Sequence, residues 1–159
     1  MKRRVLVVCT GNVCRSPMAA ALLAEEAGRA GEDDLYSFTS AGTWALEGQP
    51  ASGNAQAVMR QRGLSLSSHR GRTVTREILD AADLVLVMTQ GHRDSLSAEF
   101  PSARHKIYLF SELIGQQYDI TDPYGGTIQD YQACVSGLAD VIARGYPLLG
   151  ELVARSQGQ

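Results

Sequence analysis

Leu84-Val85-Leu86-Val87-Met88 is the segment that most restricts what this chain can fold into. An unbroken apolar run of that length fits a strand buried on both faces, and such strands belong to parallel sheets covered by helices. Three more segments have strand character: Arg4 to Val8, Tyr36 to Ser40 and Lys106 to Leu109. Helical patterns alternate with them. Met18 to about Ala30 stops at Gly31, Ala51 to Arg62 stops at Gly63, Thr75 to Ala81 is short, and another helix starts after Thr89 and stops before Pro101. Ser16-Pro17 offers an N-cap with proline at the first helical position. Thr127 with Asp130 forms a capping box for the last helix, which Pro147 should kink or break. The alternation predicts one α/β domain over residues 1–159, a four-stranded parallel sheet with helices on both faces.

With 44% hydrophobic and 20% charged residues the chain can build a real core and is too apolar for disorder. A net charge of −2 gives no global attraction for nucleic acid or an anionic membrane, so any affinity for phosphate must be local. No apolar run reaches the length of a membrane span. Met1-Lys2-Arg3-Arg4 opens like a signal peptide, but Val5-Leu6-Val7-Val8 is too short for a signal core, and a cytoplasmic protein is expected. Three cysteines, an odd number, do not make a disulfide framework and fit a reducing compartment.

The chemistry concentrates in Cys9-Thr10-Gly11-Asn12-Val13-Cys14-Arg15-Ser16, between the first strand and the first helix. In an open parallel sheet, ligands bind at the carboxyl ends of strands. A turn there aims successive backbone N–H groups inward, and the helix that follows adds its positive end. Gly11 is expected to supply an unusual backbone conformation. Arg15 adds a two-pronged fork for phosphate oxygens. The same loop would favour the thiolate of Cys9, the nucleophilic form of sulfur. Ser16 could donate to that sulfur, cap the helix, or do both.

A lone cysteine after a strand is more often a small core residue. The joint occurrence of Cys9, Gly11-Asn12, Arg15 and Ser16-Pro17 at a strand–helix junction favours catalysis instead. No Gly-Lys-Ser/Thr follows, which argues against a Walker loop. Cys9 and Cys14 lack two further ligands at metal-binding spacing, and His69, His92 and His105 are unpaired, so no metal and no cofactor is expected.

The run from Cys9 to Ser16 closely resembles the signature of the low-molecular-weight protein-tyrosine-phosphatase family: cysteine, five residues, arginine, then serine or threonine, near the N-terminus. Ser40-Ala41-Gly42-Thr43 after the second strand and Asp122-Pro123-Tyr124 before the last helix are similar to that family as well. The resemblance implies Cys9 as nucleophile, Thr10 to Ser16 as the phosphate-binding loop, and Arg15 on the phosphoryl group. It implies that Asn12, Ser16 and Ser40 support the loop, and that Trp44 and Tyr124 flank the pocket. Asp122 would be the general acid and then the general base. The default reading of Asp122 is a turn aspartate, but a departing oxygen or nitrogen needs a proton. In that family the cysteine at position 14 can form a reversible disulfide with the nucleophile.

The implied substrate is a phosphoprotein, the product inorganic phosphate, and the chain a monomer. Val13 bears on specificity: by resemblance, tyrosine-type members carry a branched aliphatic residue here and arginine-type members threonine. Valine favours phosphotyrosine, with phosphoarginine as the alternative, because Asp122-Pro123-Tyr124-Gly125-Gly126 is similar to the arginine-type loop. An arsenate reductase would need relay cysteines that positions 80–90 lack, and a phosphopeptide-binding module would not need both Cys9 and Asp122. Cys134 reads as core, His69 and His92 as surface groups or supports of the site, and Arg60, Arg62, Arg70, Arg72 and Arg76 as a solvated basic face.

Overall fold

The computed structural model describes residues 1–158. Strands β1 (Arg3–Cys9), β2 (Tyr36–Gly42), β3 (Leu84–Val87) and β4 (Ile107–Leu109) form one sheet in the order β2-β1-β3-β4, every pair parallel. The helices are α1 (Arg15–Arg29), α2 (Gly53–Gln61), α3 (Arg76–Ala81), α4 (Gln90–Glu99), α5 (Ile128–Gly145) and α6 (Leu149–Ser156). The fold is the α/β architecture that the strand–helix alternation predicts.

β1 shows why the sheet is buried on both sides. Val5 and Val7 face a core built with Met18 and Leu23 of α1, Val58 of α2, Leu138 of α5 and Leu152 of α6. Leu6 and Val8 face the opposite core, with Leu79 of α3 and Leu96 of α4. Successive side chains of a strand alternate between faces, so each apolar residue of the run is needed by one core or the other.

Several boundaries differ from the sequence reading. β1 and β2 run on to Cys9 and Gly42 because the pair stays in register to that point. Lys106 does not begin β4; its ammonium donates to the carbonyls of Leu79 and Ala82 at 2.7 and 2.8 Å, which closes the end of α3. Ser16 is not the N-cap of α1. The helix begins at Arg15, and the Ser16 hydroxyl is turned into the loop before it. Thr127 and Asp130 do form their capping box, and the chain at Tyr146–Leu148 tightens into a 3₁₀ turn at Pro147 before α6.

The strand order places the carboxyl end of β1 where connections diverge, β2 lying to one side and β3 to the other. Clefts of doubly wound sheets open at such points. The loop after β1 and the N-terminus of α4 after β3 therefore face one another across the cleft.

Candidate active site

The loop from Cys9 to Cys14 turns its carbonyls outward. Cys9 O accepts from Thr43 N at 2.9 Å, Thr10 O from Trp44 N at 3.0 Å, Gly11 O from Leu46 N at 3.0 Å and Val13 O from Ser52 N at 2.9 Å. Cys14 O accepts from Met18 N at 3.2 Å, and Asn12 O from the His69 ring nitrogen Nε2 at 2.6 Å. In a trans peptide the carbonyl and the next N–H point in opposite directions, so the N–H groups are driven toward the inside of the loop. Among the described residues, no protein acceptor faces the N–H groups of Gly11, Asn12, Val13 or Cys14. Such a ring of donors is an anion cradle.

Asn12, not Gly11, takes the left-handed backbone conformation, with φ of 58°. Asparagine tolerates that region better than other non-glycine residues. Its amide is held from three sides: Nδ2 donates to Ser16 Oγ at 2.8 Å and to Ser40 Oγ at 3.0 Å, and Oδ1 accepts from Arg72 N at 3.0 Å. The glycine that the loop cannot replace is Gly42, where a Cβ would collide with the Thr10 carbonyl oxygen.

Ser16 Oγ is 2.9 Å from Cys9 Sγ. Because Asn12 donates to that oxygen, the serine proton can point at the sulfur, with the Ala41 carbonyl at 3.4 Å as the longer alternative. Arg15 is 4% exposed. Its Nη1 donates to Ile120 O at 2.8 Å and Nη2 lies 3.4 Å from Asp122 Oδ2, while Nε has no partner. The loop that carries Asp122 is set by its own turn: Asp122 Oδ1 accepts from Tyr124 N at 3.0 Å, and Gly125 has φ of 78° with open space where a side chain would stand. Backbone conformation therefore accounts for glycine at 125.

Cys9, Val13, Arg15, Asp122, Trp44 and Tyr124 line one cleft of about 200 Å³. Trp44 and Tyr124 are 82% and 62% exposed and stand at its mouth. Leu46 joins them as a third exposed apolar wall. Nothing in the local sequence distinguishes Leu46 from a loop residue.

Cys14 also lines this cleft, and its sulfur lies 3.1 Å from Tyr131 Oη and 3.4 Å from Ser52 Oγ. Burial pushes its thiol above the ordinary range, and burial with the Cys14 contact pushes Tyr131 up to about 12. Cys134 is only partly buried: it packs against the core edge beside the Thr121 carbonyl, and burial raises it to about 12. It is thus a lining residue of the groove beside the Asp122 loop rather than a core residue. The arginines at 60, 62, 70, 72 and 76 are exposed as expected, although the backbone N–H of Arg72 serves the loop.

His92 is 7% exposed and held at about 4, first by burial and then by the positive charge of Arg15, against the opposing pull of Asp119 and Asp122. An unfolded histidine titrates near 6.5, so the unfolded chain binds more protons than the folded one between these values. Stability therefore falls as pH drops from about 6.5 to about 4, by about 3 kcal/mol from this residue. His69, lowered chiefly by burial, acts in the same direction. Urea unfolding at about pH 7 and about pH 4.5 should show a smaller acid loss in His92→Gln than in wild type. An identical loss in both would show that His92 does not titrate this way.

Comparisons with known proteins agree with this geometry. Residues 4–150 match the model of the family described as low molecular weight phosphotyrosine protein phosphatase. A protein-arginine-phosphatase of Geobacillus stearothermophilus is 41% identical over 91% of this chain and 94% of its own. The crystal structure of a low molecular weight protein tyrosine phosphatase from T. tengcongensis superposes with a TM-score of 0.88 at 38% identity, covering 93% of this chain and all of that one. A cysteine-to-serine mutant of the YwlE arginine phosphatase with a phosphorylated active-site serine gives a TM-score of 0.86 at 32% identity, over 91% of this chain and 95% of that one. From the match across nearly its whole length, the chain belongs to the low molecular weight phosphotyrosine protein phosphatase family.

Proposed function

We propose that the protein hydrolyses phosphotyrosine in phosphoproteins through a cysteinyl-phosphate intermediate. The observation that carries the phosphatase reading is Arg15: a buried guanidinium with an unpartnered Nε beside a ring of unpartnered N–H groups and the sulfur of Cys9. Buried donors without acceptors are costly unless a ligand satisfies them. Arg15 and the loop would hold the equatorial oxygens while Cys9 attacks phosphorus in line. Asp122 would protonate the leaving oxygen and then activate water for hydrolysis of the cysteinyl phosphate, which releases inorganic phosphate and restores Cys9. Preorganised charge at the loop supplies most of the barrier reduction. No step calls on a metal or cofactor. The phosphorylated active-site serine in the related YwlE mutant supports a covalent phosphoryl intermediate.

The mouth of the cleft supports the choice of phosphotyrosine. Val13, Trp44, Leu46 and Tyr124 give an apolar slot for a phenyl ring. Ring contacts there are worth about 0.5–1.5 kcal/mol each. Val13 has the shape of threonine without its hydroxyl and offers no hydrogen bond to a guanidinium. Phosphoarginine is the second reading, favoured by the 41% identity to a protein-arginine-phosphatase. Rates on phosphotyrosine and phosphoarginine peptides of matched sequence decide between them. Val13→Thr should shift preference toward phosphoarginine. If wild type prefers phosphoarginine by about tenfold, or about 1.4 kcal/mol in transition-state binding, the second reading replaces the first.

Reversible oxidation follows from the two cysteines of the loop. Peroxide converts the Cys9 sulfur to a sulfenic acid, and attack by Cys14 gives the Cys9–Cys14 disulfide with loss of water. Cys14 must first leave Tyr131 and Ser52, and its raised thiol makes the attack slow at neutral pH. Dithiothreitol should therefore restore more activity to wild type oxidised at alkaline pH than at neutral pH, and none to a fully oxidised Cys14→Ser variant. Peptide mapping that finds only Cys9 sulfinic acid in wild type at every pH would exclude the disulfide.

A further inference from the structure

His92 enters neither the sequence motif nor the steps above, yet its ring reaches the phosphate loop. It belongs to the first turn of α4, across the cleft from β1. Thr89 N donates to His92 Nδ1 at 3.2 Å. A backbone N–H can only meet a lone pair, so the proton of the neutral ring sits on Nε2. Nε2 lies 2.8 Å from Thr10 Oγ1, which makes His92 the donor and Thr10 the acceptor. One lone pair of the hydroxyl is then occupied, and its own proton must point elsewhere. No second protein partner meets Thr10 Oγ1 among the described residues. Thr10 is exposed, and the space it lines is the cleft of Cys9, Arg15 and Asp122.

We propose that Thr10 donates a hydrogen bond from its hydroxyl to the bound phosphoryl group, and that His92 is the positioning residue that orients it. This rests on the phosphatase reading and adds to it a side-chain donor beyond the loop N–H groups and Arg15. The chain of polarity runs from Thr89 N–H through the His92 ring to the Thr10 hydroxyl, each member donating to the next. The ring is fixed at both nitrogens, so the relay has one direction. The charged groups around the ring are Arg15, Asp119 and Asp122, and none of them replaces its hydrogen bond to Thr10.

The test uses inorganic phosphate as a binding probe and an aryl phosphate as substrate. Thr10→Val keeps the shape of the side chain and removes the hydroxyl; it should weaken phosphate binding and lower kcat/KM by about fivefold each, the worth of one neutral hydrogen bond. Thr10→Ser should stay within about twofold of wild type. His92→Leu should match Thr10→Val, and the double variant should be no worse than either, since both break one relay. His92→Gln keeps a donor near the position of Nε2 and should recover most of the loss; it also serves if His92→Leu does not fold. Unchanged phosphate affinity in Thr10→Val, or penalties that multiply in the double variant, would overturn the relay. Phosphate affinity can be read by calorimetry without turnover. Inactivity of the wild type on every phosphoester would therefore sink the phosphatase reading separately.

Discussion

Cys9→Ser should lower turnover of aryl phosphates by at least about a thousandfold while phosphate still binds. The reason lies in what surrounds the sulfur. The Ser16 hydroxyl lies 2.9 Å away, and a sulfur nucleophile attacks phosphorus far more readily than an alcohol in the same place. The donors that hold phosphate, including Arg15 Nε, are untouched by the change. Inorganic phosphate should therefore bind the variant with an affinity within about threefold of wild type, the limit of one weak contact. A slow single turnover that leaves a phosphoryl group on the new serine is consistent with the same mechanism, as the phosphorylated serine of the related YwlE mutant suggests. Intact mass after long incubation with substrate would detect it. Retention of a tenth of wild-type turnover would remove Cys9 from the role of nucleophile.

Asp122→Asn should cost about 10²–10³-fold on phosphotyrosine peptides and far less on aryl phosphates with activated leaving groups. Asparagine is nearly the same size and can still accept from Tyr124 N at the position of Oδ1, so the turn survives. On the proposed mechanism, the change removes the proton that a basic leaving group requires. It also removes the negative partner 3.4 Å from Arg15 Nη2. Asp122 is 46% exposed and the pair is accordingly screened, so loss of this contact accounts for only a small share of the effect. The ratio of the two substrate classes is the informative quantity. Equal loss on both would mean that Asp122 holds Arg15 and the loop in place rather than transferring a proton.

The phosphate loop was legible because its residues are contiguous and each type has a chemical reason to be there. Cys9 and Ser16 meet at 2.9 Å, and Asp122 comes to within 3.4 Å of Arg15 from far along the chain. The expectation for Gly11 failed because composition alone does not say which residue of a turn takes positive φ. That choice fell to Asn12, whose side chain finds Ser16, Ser40 and Arg72. Ser16 was readable as cap or donor; it does not cap α1, and its hydroxyl lies nearer Cys9 Sγ, at 2.9 Å, than the Ala41 carbonyl at 3.4 Å. Leu46 carried no local signal because it looks like a loop residue, and His92, which looks like part of a helix start, was readable only as a surface group or a support of the site.

The sequence by itself determined the α/β class, the position of the loop at the end of β1 and the identity of the groups that could do chemistry there. Those properties follow from strand and helix periodicity and from the reactivity of single side chains, both local in the chain. Tertiary structure alone decided the direction of each hydrogen bond in the site. The loop carbonyls turn outward because Thr43, Trp44, Leu46, Ser52 and His69 receive them, and the N–H groups turn inward as a consequence. Likewise the tautomer of His92 and the free proton of Thr10 depend on Thr89, some eighty residues from the loop. A donor's direction is set by which acceptors surround it, and those acceptors become neighbours only when the sheet brings β1 and β3 together.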